Sequence, residues 1–107
     1  MAFVYLLCDS GQDNTYKIGV TRGKIEKRIN QLQTGNSNEI YLVDFYETKY
    51  PFFLERWLHM KFCPQQKLNE WFVLCDEDVF KFKENCCAIE ENAIALEGNP
   101  FAQKLLK

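Results

Sequence analysis

The run FVYLLC, Phe3 to Cys8, limits what this chain can fold into more than any other stretch. Its apolar residues occupy both alternating positions, so as a strand it needs cover on both faces. That predicts a strand inside a sheet with helices on either side. A turn-rich loop, DSGQDN, follows, and TYKIGV (Thr15 to Val20) reads as the second arm of a hairpin. Gly19 interrupts that arm, as glycine does where the backbone bends or is closely approached.

The remaining pattern alternates between helix and strand. GKIEKRINQLQTG places Ile25, Ile29 and Leu32 at helical spacing, with Gly35 where a left-handed C-cap would sit. EIYLVDFYE (Glu39 to Glu47) is β-branched and aromatic, as strands are. Pro51 suits the first turn of a second helix, PFFLERWLHMKF, ending near Cys63 and Pro64. EWFVLC is a short extended segment. Asp76 then caps a long last helix in which Val79, Phe82, Cys86, Ile89, Ala93 and Leu96 step by three and four, before Gly98 and Pro100 stop it. The expected fold class is α+β: a small mixed sheet flanked by helices, with residues 1–75 as the core. Residues 76–107 form a C-terminal helical extension packed on the same domain. The apolar seam of the last helix has heptad-like spacing, so it either packs on its own sheet or joins two copies, giving a monomer or a homodimer.

At 107 residues, 47% of them hydrophobic, the chain fits one domain. No run approaches the ~18 apolar residues of a membrane helix. The opening MAFVYLLCDSG has neither a basic lead nor a small-residue cleavage site, so an intracellular location, cytoplasmic or nuclear, is expected. Five cysteines, an odd number with no Cys-x-x-Cys pair, point to reduced and mostly buried thiols. The net charge is -2, yet its distribution is uneven. Lys17, Arg22, Lys24, Lys27 and Arg28 gather between Asn14 and Gly35 against Glu26 alone, whereas eight acids lie between Asn69 and Gly98 against Lys81 and Lys83. Such asymmetry makes either a basic face on an acidic protein or an ordinary solvated helix.

Two places carry residues suited to chemistry. Phe52, Glu55, His59 and Phe62 fall at intervals of three and four, so a carboxylate and an imidazole interrupt an apolar helical stripe. A half-buried Glu55 needs a partner, either His59 or Arg56 in a structural ion pair, or a divalent cation such as magnesium, which takes hard oxygen ligands. In the hairpin, a register that sets Tyr5 opposite Lys17 puts phenol and ammonium on one side of the sheet. The ammonium then lowers the Tyr5 pKa from about 10 toward the range of a general base. Arg28 flanks Ile25 and Ile29 on the next helix, aimed across the sheet at a phosphate or paired with Glu26 at the surface.

In combination, FVY at Phe3 to Tyr5, KIG at Lys17 to Gly19, EKR at Glu26 to Arg28, QLQTGN, LERWLHMKF at Leu54 to Phe62, and NEWF follow a familiar order and spacing. The chain resembles the GIY-YIG nuclease superfamily over about residues 2–74, especially a phage and viral branch with YKIG and EWF motifs. The resemblance implies a divalent-metal-dependent DNA endonuclease that hydrolyses phosphodiester bonds with Mg²⁺ or Mn²⁺. By position it implies Tyr5 and Lys17 at the two motif tyrosines, Arg28 as the catalytic arginine, and Glu55 as the metal ligand. His59 is then a supporting or proton-transfer residue, and Arg22, Lys24, Lys27 and Arg28 face DNA. Phe3 departs from the first motif's glycine and Lys17 from the second motif's tyrosine, while Glu70 lies near the place of a late asparagine. The alternative is a non-catalytic nucleic-acid or protein interaction module on the same fold.

Overall fold

β1 (Ala2–Asp9) pairs along one edge with β2 (Thr15–Thr21) and along the other with β3 (Ile40–Thr48), which makes it a central strand whose two faces are both available for burial. The computed structural model describes residues 2–101, so the last six residues of the expected extension, 102–107, lie outside the described residues. Between β2 and β3 runs α1 (Ile25–Thr34), and after β3 come α2 (Pro51–Lys61), β4 (Gln66–Leu68), β5 (Trp71–Val73), α3 (Asp76–Phe80) and α4 (Phe82–Glu97). The fold is α+β, with strand order β3-β1-β2-β5-β4.

The sheet is not mixed: every pairing among the described residues is antiparallel. β2 and β3 do run parallel, joined by a crossover through α1, but β1 lies between them. The hairpin register also differs from the one that sets Tyr5 opposite Lys17. Tyr5 faces Gly19, and Lys17 faces Leu7. Because the shift is two residues, both side chains still leave the same face of the sheet.

Strand alternation divides the interior in two. Val4, Leu6 and Ile18 point to one face, where Phe53, Leu54 and Leu58 of α2 and Phe82, Cys86 and Ala93 of α4 bury them. Tyr5 and Leu7 point to the other face and pack with Ile40 beneath Ile29 and Leu32 of α1. A fully buried side chain of this kind contributes about 1.5–3 kcal/mol, and the larger cluster dominates. The uneven charge follows the same division: basic α1 covers one face and acidic α4 the other.

Several local expectations need correcting. Gly35 ends α1 at φ -95°, so no left-handed cap is present. The last helix is broken at Lys81, and Cys75 rather than Asp76 is its N-cap, with Asp78 accepting from the Cys75 backbone N–H at 3.2 Å. The seam of α4 is spent inside the protein, on the larger cluster. The cysteines are not mostly buried. All five are free, but only Cys86 is buried, its thiol pushed up to about 12 by desolvation, while Cys63, Cys75 and Cys87 are exposed because they fall on outward positions. No described helix is long and apolar enough to cross a membrane.

Candidate active site

Tyr5 projects from the centre of β1 onto the face beneath α1. Its ring lies flat over Gly19, so close that a methyl group there would sit 2.5 Å from the phenol oxygen and 2.7 Å from Cζ. Gly19 is therefore needed for this approach, not for a bend. Gly19→Ala should displace the phenol and destabilise the fold by about 1–3 kcal/mol, as overpacking does. Thermal unfolding checks this, and an alanine variant as stable as the parent would contradict the close packing.

Arg28 reaches down from α1, and its Nε donates to the Tyr5 hydroxyl at 3.4 Å. Burial nevertheless holds the Tyr5 pKa above its ordinary value of 10, with the Arg28 hydrogen bond opposing and the charges of Glu70 and Glu55 adding to the rise. The expected lowering by Lys17 is thus overturned. Lys17 is spoken for elsewhere: its ammonium, 2.8 Å from the Glu70 carboxylate, also lies 5.6 Å from the centre of the Trp71 ring. The same phenol raises the Arg28 guanidinium above its ordinary value, chiefly through the hydrogen bond.

Glu70 arrives by a device that the sequence pattern did not disclose. β4 and β5 form a tight hairpin in which Leu68 pairs with Trp71, and Asn69 takes a left-handed φ of 52°. The turn sets Glu70 beside Lys17, and its carbonyl accepts from the Ile18 N–H at 3.2 Å. An Asn at that position, tolerant of positive φ, was the available signal.

β5 begins only at Trp71, opposite Lys17, so beyond Ile18 β2 presents an open edge. Across that edge comes α2. His59 Nε2 lies 2.9 Å from the Ile18 carbonyl, and since a carbonyl only accepts, that nitrogen carries the proton. The His59 ring also packs on Phe72, centroids 5.0 Å apart, so it ties α2 to the sheet. One turn earlier, Glu55 is half-buried beside Glu70. Desolvation first, then the Glu70 charge, pushes its carboxyl above the ordinary value of 4.5, with His59 and Lys17 opposing. Of the stripe from Phe52 to Phe62, only Phe62 is core. Phe52 is exposed, and Phe52, Glu55 and His59 line an open groove with Arg56, Met60 and Cys63.

Tyr5, Lys17, Arg28, Glu55 and Glu70 therefore converge from four elements and the β4–β5 turn, while His59 stands behind them. Lys24, the N-cap of α1, and Lys27 on its first turn are exposed, and Arg22, in the loop before them, lies 5.3 Å from the Phe52 ring centre. Among the described residues no three His, Cys, Asp or Glu side chains gather closely enough to hold a metal alone. Two carboxylates do meet, and one or two suffice for a magnesium-type ion when phosphate and water complete its shell.

The model of one protein family, the T5orf172 domain, matches residues 2–87, about four-fifths of the chain. The chain belongs to the T5orf172 domain family. Comparison with curated proteins and with solved structures returns no match. The T5orf172 match includes every residue of the cluster and runs on into α4.

Proposed function

We propose that the protein is a divalent-metal-dependent DNA endonuclease of GIY-YIG type. T5orf172 membership supports a nucleic-acid-related, endonuclease-like role in coarser terms. One observation carries the finer reading: a phenol and a guanidinium in hydrogen-bond contact stand beside two acidic side chains, Glu55 and Glu70, close enough for one to raise the pKa of the other. Arg28 would stabilise charge on the phosphate, and Tyr5 would orient the attacking water and, in the fraction present as phenolate, take its proton. Glu55 and Glu70 would hold Mg²⁺ or Mn²⁺, which supplies Lewis acidity and a template when bound. At neutral pH Tyr5 keeps its proton; once Glu55 and Glu70 are neutralised, two of the influences that retain it are gone. Lys17 would set the position of Glu70, and His59 that of Glu55.

The experiment is incubation of purified protein with plasmid, single-stranded and branched DNA, with Mg²⁺ or Mn²⁺ against chelator. Metal-dependent cutting is expected; intact DNA in every arm would remove the nuclease reading. One observation favours a non-catalytic nucleic-acid module instead, namely the 2.8 Å bond by which Lys17 already occupies Glu70. Binding without cutting would select it.

Either reading needs the basic face. Reversing Lys24 and Lys27 to Glu should weaken DNA binding and reduce the slope of log affinity against log salt by roughly 2, one unit for each lost phosphate contact. Fluorescence anisotropy across a salt series checks this. Unchanged affinity at low salt would remove α1 from the interface.

A further inference from the structure

The face that bears Tyr5 continues into an aromatic surface. Phe3 precedes Tyr5 by two residues on β1, about 7 Å along the strand, and the register places Phe45 of β3 directly opposite Tyr5. Phe3 and Phe45 meet edge to face, with centroids 5.9 Å apart and planes at 71°. Phe45 is 41% exposed, so this pair is not simply core. Beside it lies an open groove of about 440 Å³, lined by both rings, Arg22, Lys24 and Ile25, with Glu26 the one acid in its lining. The Lys83 ammonium, held by Asp44 at 3.4 Å, stands 5.5 Å from the centre of the Phe45 ring.

We infer that this groove is a stacking subsite for one unpaired nucleobase, adjoining the Tyr5–Arg28 phosphate site; the inference rests on the nucleic-acid reading above. The charge complementarity is direct. Two cations of the lining, Arg22 and Lys24, border an apolar floor against one acid, Glu26, and the Asp44-paired Lys83 adds a third cation at the Phe45 ring, a combination that suits a flat π-face joined to a phosphate chain. Bases in an intact duplex are stacked on each other and offer no free face. A strand that enters here must present at least one unpaired nucleotide, so the preferred substrate carries a single-stranded segment at or beside the cut. Stacking on Phe45 accepts any base, and selection is by strand structure rather than by sequence.

The test is a titration of the full chain, in chelator so that nothing is cut, into an oligonucleotide carrying 2-aminopurine, as a single strand and as a duplex. The single strand should bind more tightly and its fluorescence should be quenched. Phe45→Leu, which keeps an apolar side chain, should weaken single-strand binding roughly tenfold and duplex binding by less than about twofold. Phe45→Trp, which keeps the π-face, should retain parental binding and quenching, and it carries the test if the leucine variant melts early. Equal losses on both DNA forms with Phe45→Leu, unchanged single-strand binding, or a tryptophan variant as weak as the leucine one would overturn the subsite. A protein that stacks the base but cuts nothing with Mg²⁺ keeps this subsite and loses the nuclease reading. One that cuts duplex and unpaired DNA alike, indifferent to Phe45, keeps the nuclease reading and loses the subsite.

Discussion

Tyr5→Phe should lower the rate of DNA cleavage by about 10²–10⁴-fold, the range over which a positioned acid or base acts. The change deletes one oxygen. The ring keeps its place over Gly19, so stability should hardly move, apart from the loss of a 3.4 Å contact with Arg28. The pH profile separates a reacting phenol from a packing one. Burial holds the Tyr5 pKa above 10, so with Tyr5 as base the parental rate should climb with pH toward the alkaline range. That climb should vanish in Tyr5→Phe. A phenylalanine variant with the parental rate and profile would remove Tyr5 from the chemistry.

Glu55→Gln should separate stability from activity in opposite directions. An acid whose pKa is raised on folding contributes stability that is fully present below its unfolded pKa and lost as pH rises through the folded one. For Glu55 the loss begins near its ordinary value of 4.5 and continues above it, since desolvation and Glu70 disfavour the charge. Glutamine mimics the protonated form, and its amide can donate to the Glu70 carboxylate. Without metal, the variant should melt close to the parent in acid and a few degrees above it at neutral pH. Thermal unfolding at both pH values measures this. A variant that melts well below the parent at pH 7 would make Glu55 a structural ion-pair member, with Arg56 or His59 as its partner.

Legibility in the sequence followed burial. α1 and the seam of α4 were readable because each pairs a clear period with one clear face, β1 because it is a short run apolar on both faces, and β3 because it is β-branched and aromatic. The helix from Pro51 was readable as a helix, but its inner face was not. Phe52, Phe53, Leu54, Trp57, Leu58 and Met60 surround it, so periodicity cannot choose between Phe53, Leu54 and Leu58, which are buried, and Phe52, which is exposed. β4 was invisible because its three residues are all exposed and need no apolar alternation. The register of β1 on β2 depends on the loop between them, where Asn14 takes a φ of 55°, and no side-chain pattern fixes a shift of two. The same limit governs the site. Tyr5, Arg28 and Glu55 are brought close to one another, as their positions in the motifs suggested. The partnerships that set their charges, Lys17 with Glu70 and Glu70 with Glu55, are long-range contacts that only the folded sheet edge creates.

The most direct test of the account is the rate of plasmid nicking by parent and Glu55→Gln, purified in parallel and assayed over a series of Mg²⁺ and Mn²⁺ concentrations. An Arg28→Ala preparation serves as the control for contaminating nuclease. The account predicts metal-dependent nicking by the parent, abolished by chelator, and a fall of orders of magnitude in the glutamine variant while DNA binding is retained and the melting temperature does not fall. Nicking by a well-folded Glu55→Gln protein at the parental rate would contradict it.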